Sequence, residues 1–179
     1  MPRIVPGIDT LEQHLEYLTS DPEAYRPQCC PHCGVSGMRR HGAYERKVPR
    51  GEGVAFSLGP IPIPRFLCPQ CRRTCSRLPM CLAPRRHYLW DVQQIVLIGL
   101  SVGESIRRIG QRVLPSRRTI GRWWERLKGR FDTHSLHLRS RFAELGRGVG
   151  VSALWSGCLE RMRLCEAMAW LDRDGVVVP

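Results

Sequence analysis

The chain has 179 residues, 42% of them hydrophobic and 25% charged, and a formal net charge of +12. The apolar content excludes wholesale disorder, and the longest apolar run, Ile95–Leu100, falls far short of the roughly 20 residues that a membrane-spanning helix needs. With no basic-then-apolar export signal at the N-terminus, the expectation is a cytoplasmic, nucleoid-associated protein with no membrane partner.

Among the 28 basic residues only Lys47 and Lys128 are lysines. Arginine's planar fork suits bidentate contacts to phosphate and guanine, so double-stranded DNA is the expected partner; acidic proteins and anionic lipid surfaces are the alternatives. The charge is uneven: net −3 over residues 1–28, +9 over 29–90, +6 over 91–130 and 0 over 131–179. The positive field therefore belongs to the middle of the chain. The nine cysteines are odd in number and include two Cys-x-x-Cys pairs, which points to metal ligation in a reducing compartment rather than to a disulfide scaffold.

In chain order, Leu11, Leu15 and Leu18 lie at helical spacing within Thr10–Leu18 and predict a short helix packed on the next module. The stretches Met38–Val48 and Ile61–Leu67 read as strands, the second an edge strand because Pro62 and Pro64 cannot donate ladder hydrogen bonds. Between them, Pro49, Gly51, Gly53 and Gly59 mark an excursion from the sheet. Helical texture begins at Trp90–Leu100, continues in Ser105–Val113, and resumes after Leu114-Pro115 with Ser116 as N-cap of a helix to Lys128. Two further helical patterns cover Phe131–Leu145 and Val151–Leu171, and Gly175–Pro179 reads as a strand or a frayed tail. The expected fold class is α+β: an N-terminal helical segment (1–28), a small β zinc ribbon (29–83), a helix-turn-helix region (84–130) and C-terminal helices (131–179).

The knuckles Cys30-Pro-His-Cys33-Gly and Cys68-Pro-Gln-Cys71 carry the clearest chemistry. Two residues between cysteines let both sulfurs face one ion, and two such turns complete the tetrahedral thiolate shell that Zn2+ favours. Four protein ligands leave no position for a reactive water, so the expected zinc is structural. Cys75 and Cys81 read as core or partly buried thiols, and Cys158 and Cys165 as core positions of a helix. In the helical region, Ile106, Ile109 and Val113 form one apolar face, and Ile120, Trp123 or Trp124, and Leu127 another. Packed on Ile95 and Leu100, these helices make a trihelical unit whose last helix presents Arg117, Arg118, Thr119, Arg122 and Arg126 to a major groove. Arg72, Arg73, Arg77, Arg85 and Arg86 are candidates for added phosphate contacts.

The ordered set of Cys30-Pro-His-Cys-Gly, Arg40-His-Gly-Ala-Tyr-Glu-Arg46, the second knuckle, Leu78-Pro79, Pro84-Arg-Arg86 and the helical region resembles the zinc-ribbon plus helix-turn-helix proteins of bacterial insertion sequences, over about residues 25–128. The resemblance implies DNA binding and recognition of element ends. It supplies no catalyst: transposases of the usual kind use three acidic residues on an RNase H-like fold, and the stretch after Lys128 is too short for one. Its Asp132, Glu144, Asp172 and Asp174 lie in helical or terminal contexts. A homodimer formed through the C-terminal helices, or a separate catalytic subunit, would complete such a protein. A transcription regulator of the same architecture and the N-terminal part of an active transposase are the alternatives, and a ribbon that binds protein or RNA is a further one.

Overall fold

Residues 3–47, 59–84 and 87–178 are described by the computed structural model. Arg85 and Arg86, most of the expected excursion around Gly51 and Gly53, and Pro179 lie outside them.

The chain enters through a two-residue strand β1 (Ile4–Val5) and a helix α1 (Leu11–Ser20). Thr10 caps α1 by accepting from Gln13 N, while the Gln13 side chain accepts from Thr10 N, so two of the orphan donors at the helix start are satisfied reciprocally. Leu11 packs against Ile61, Ile63, Leu78 and Leu82, as expected of a helix laid on the following module. His14 is fully buried in the same interface. Its Nδ1 lies 2.6 Å from the Tyr25 hydroxyl and its Nε2 2.9 Å from the Pro62 carbonyl oxygen, so a polar ring joins α1 to the sheet with both nitrogens partnered.

The sheet has the order β2 (Arg39–Arg46), β3 (Ile61–Leu67), β4 (Thr74–Ser76), all antiparallel. The expectation of an edge position for Ile61–Leu67 is not met, because β3 is the central strand. Its prolines are tolerated because β4 pairs only with Arg65, Phe66 and Leu67, so Pro62 and Pro64 have β2 alone as a neighbour and no second ladder to serve. Between Arg40 and Ala43 the β2–β3 register shifts, and Gly42 takes a φ of +70° there, a conformation that a side chain would strain. β5 (Leu78–Pro79) leaves the sheet and runs parallel to β1, pairing Ile4 with Leu78.

Among the described residues six α-helices follow: α2 (Trp90–Ser101), α3 (Ile106–Ile109), α4 (Arg117–Lys128), α5 (Phe131–Arg141), α6 (Gly150–Leu159) and α7 (Leu164–Arg173). α2 is shared between two cores. Val96 and Leu100 meet Ile109, Ile120 and Trp123 from α3 and α4, whereas Trp90 and Leu97 belong with Leu154, Trp155, Leu164 and Met168 from α6 and α7. At Gly99 a Cβ would stand 3.0 Å from Ile109 Cδ1, so the missing side chain is what lets α3 close on α2. Ile95, expected at this contact, instead points outwards, 48% exposed. The pattern Ser105–Val113 forms a helix only over Ile106–Ile109, because the chain turns at Gly110. The pattern Val151–Leu171 is two helices, interrupted at Glu160–Arg163; α7 restarts with the Glu166 carboxylate accepting from Arg163 N and with Leu164 N donating to Gln94 Oε1 of α2 at 2.7 Å.

The two ends of the described chain meet. Asp172, 5% exposed, accepts from the backbone N–H groups of Arg3 and Ile4, and Ile4 enters the same core as α6 and α7. Val176 and Val178 are buried, so the tail after α7 is tucked in rather than frayed. The whole is a mixed arrangement of small sheets and helices, as the expected α+β class requires, and no helix among the described residues is long and apolar enough to cross a membrane.

Candidate metal centre and nucleic-acid interface

The two knuckles are built alike. In the first, Gly34 N donates to Cys30 O at 2.9 Å and Cys30 N to Val35 O at 2.8 Å; in the second, Arg72 N donates to Cys68 O at 3.1 Å and Cys68 N to Arg73 O at 2.9 Å. Such a turn needs a left-handed residue directly after the ligand pair. Gly34 supplies it at a φ of +75° without cost, whereas Arg72 occupies the equivalent position at +58°, the sole non-glycine residue with positive φ among those described.

These turns bring the sulfurs of Cys30, Cys33, Cys68 and Cys71 within 4.8 Å of one another. Cys30 and Cys71 are 3.6 Å apart, as are Cys33 and Cys68. A disulfide would require about 2.05 Å, while a tetrahedral thiolate site with bonds of about 2.3 Å separates its sulfurs by roughly 3.8 Å. The four cysteines can therefore hold one metal ion, and the whole donor set is soft thiolate. Backbone N–H groups add to the site: His32 N points at Cys30 Sγ (3.4 Å) and Cys71 N at Cys68 Sγ (3.5 Å). Burial raises the Cys30 pKa, but the N–H groups of His32 and Cys33 and the thiols of Cys71 and Cys68 outweigh it and bring it down to about 6. At Cys71 the Arg73 N–H lowers the pKa, but burial and the other three thiols outweigh it and push it up to about 11.

Under the knuckles lies a small core of Val5, Ile8, Tyr25, Met38 and Phe66. Cys75 packs against it, half-buried, with its thiol held protonated chiefly by burial. Cys81 is likewise partly buried and pushed up to about 12, again chiefly by burial. Cys158 and Cys165 are core residues, as expected, but they sit on two helices, α6 and α7, rather than on one face of a single helix. Cys29 is exposed and lies outside the cluster, as does His32.

The second candidate surface is α4. Ser116 caps it by accepting from Thr119 N at 3.3 Å, and Ile120, Trp123 and Leu127 bury one face while Trp124 sits at the rim. Arg117, Arg118, Arg122 and Arg126 are exposed on the other, and among the described residues none of them pairs with a carboxylate. Thr119 is half-buried, and its hydroxyl lies 3.1 Å from Ser116 Oγ and accepts from Arg122 Nη2 at 3.4 Å, so it fixes the cap and steers one arginine. Arg72 and Arg73 are exposed on the second knuckle. Among the acidic residues after Lys128, Asp172 serves the N-terminal backbone and Asp174 lies 3.3 Å from His137, so these two have structural roles.

A family model described as "Domain of unknown function (DUF6431)" matches residues 30–123. The chain belongs to that family. The DUF6431 match begins at the first metal ligand and ends at the Trp123 that anchors α4, so it takes in the cysteine cluster, the sheet and the α2–α4 unit, a set that fits a zinc-ribbon-like family. No curated protein and no solved structure matches the chain.

Pattern reasoning overlooked His14 and His134, and it named Asp172 and Arg77 without the surroundings the structure gives them. None has a local signature. Each is defined by a partner, or by the lack of one, far away in sequence.

Proposed function

We propose that this DUF6431 protein binds double-stranded DNA, with Zn2+ as its structural metal, and that it recognises the ends of a mobile element. The observation that carries the reading is the outer face of α4: four exposed arginines, none paired with a carboxylate among the described residues because the neighbouring Glu125 is taken up by Lys128, on a helix whose opposite face is pinned by Ile120, Trp123 and Leu127. A helix held in that way can enter a major groove as one rigid piece, and arginines near its start, Arg117, Arg118 and Arg122, reach guanine N7 and O6 or the flanking phosphates. Here α2, α3 and α4 act as a helix-turn-helix, with the short α3 and its turn setting the angle of α4. Arg126, Arg72 and Arg73, with Arg85 and Arg86, add backbone contacts that position the protein without reading sequence.

Zinc is the metal that best suits four thiolates in a redox-neutral, closed tetrahedron. Its role is to fold the cysteine module, which has only a handful of large apolar side chains of its own. In this reading the chain contributes recognition, as a homodimer or beside a separate subunit that supplies what cutting DNA requires.

The test is duplex selection on the zinc-loaded protein, followed by affinity measurements on Arg118→Ala and Arg122→Ala. An arginine that reads guanine is worth about 1–3 kcal/mol of specific binding. Unchanged affinity in both variants refutes the recognition-helix assignment, and a selection that yields no preferred site refutes sequence recognition altogether.

A further inference from the structure

We propose that the cleft between the β2–β4 sheet and the β1–β5 pair is a phosphate-binding site. The cleft encloses about 750 Å³ and is lined by Arg3, Arg46, Lys47 and Arg77, with Glu45 the one carboxylate among the described residues of its lining. Thr74 and Ser76 add hydroxyls to the wall, and Tyr44, 39% exposed, adds an aromatic face.

Arg77 gives the cleft its need for an anion. It is half-buried, its Nε is shut off from solvent without a hydrogen-bond partner, and its Nη2 reaches only the Ile4 carbonyl oxygen, at 3.4 Å. The carboxylate whose charge acts on it, Asp172, is already engaged with the backbone N–H groups of Arg3 and Ile4. A desolvated guanidinium with an unpartnered donor is costly, and an anion in the cleft beside it would offset its charge without having to reach the enclosed Nε. Folding places Arg3 and Lys47, both exposed, on the walls of the same cleft, where a structural arginine would call for an acid instead. A phosphate brings compact charge and several acceptor oxygens, which match a guanidinium fork better than a lone carboxylate does. The phosphate can belong to a nucleic-acid strand or be free in solution; the chemistry of the cleft is the same for both. The site stands apart from α4, and only its strand source shares the DNA-binding reading.

The experiment compares the full zinc-loaded chain with an Arg3→Gln/Lys47→Gln double variant, whose changes lie on the surface outside the cysteine cluster, and with Arg77→Met. Thermal unfolding is followed in inorganic phosphate against chloride at equal ionic strength, and duplex DNA affinity is followed against salt. The expected result is a melting temperature raised by phosphate in the parent and less so in the variants. If the source is a strand, duplex affinity also falls in the double variant, with the log–log salt slope reduced by about 0.9 for each phosphate that the variant no longer neutralises. Loss of the phosphate response with unchanged duplex affinity assigns the site to a free phosphate. A double variant that matches the parent in both its phosphate response and its duplex affinity overturns the proposal. Arg118→Ala, measured alongside, separates the two readings: a cleft that matters while α4 does not leaves this site standing and removes the recognition helix.

Discussion

His134 offers the sharpest test of how the helical core is balanced. Its ring is fully buried against Trp155, with centroids 5.7 Å apart and planes at 88°, and neither ring nitrogen has a hydrogen-bond partner. Burial is the main reason that its pKa falls to about 4, with Arg130 and His137 pushing in the same direction. In the unfolded chain the same ring titrates near 6.5. Between those values the unfolded state binds a proton that the folded state refuses, so stability is lost as pH falls from about 6.5 towards 4. The full difference of about 2.5 pKa units corresponds to about 3 kcal/mol, of which about 2 kcal/mol is already lost at pH 5. The assay is urea unfolding of the parent and of His134→Leu at pH 7.5 and pH 5. Losses common to both proteins, including any from metal release in acid, cancel in the comparison. His134→Leu should therefore gain about 2 kcal/mol on the parent between the two pH values. An equal stability difference at both would mean that the folded protein protonates His134 without penalty, and the reasoning from burial would fail.

Removal of the metal with a chelator should unfold the cysteine module, because structural zinc supplies on the order of 10 kcal/mol to such folds; an unchanged circular dichroism spectrum would contradict this. Arg72→Gly should stabilise the metal-loaded protein by up to about 1 kcal/mol, since glycine meets the left-handed conformation without the side-chain penalty; a loss in melting temperature would show that the Arg72 side chain does more than the backbone requires. Asp172→Ala leaves the N–H groups of Arg3 and Ile4 without their acceptor and should destabilise by about 1–3 kcal/mol, read by urea unfolding, with a negligible change as the result against it.

Local chemistry was readable from the chain; geometry set by distant partners was not. The cysteine spacing announced the cluster, and Ser116 with Ile120, Trp123 and Leu127 announced α4, because caps and apolar periods act within a turn or two. The prolines of β3 misled because a strand's position in a sheet depends on where its neighbour stops, and β4 stops short of them. The break between α6 and α7 carries no glycine or proline; it follows from the Arg163–Glu166 cap and from Gln94 of α2, which receives the Leu164 N–H. β1 is two residues long and has no period to detect. It exists because Asp172 and β5 hold it.

That pairing of β1 with Asp172 also governs the order of events during synthesis. Ile4 leaves the ribosome 168 residues ahead of its acceptor, Asp172. The cysteine module can take up its metal while the rest of the chain is still being made, because its four ligands span only residues 30 to 71. The core around Trp155 cannot close until α7 emerges and β1 comes back to meet it, so the slowest step should be the docking of β1 onto a helix made about 160 residues after it.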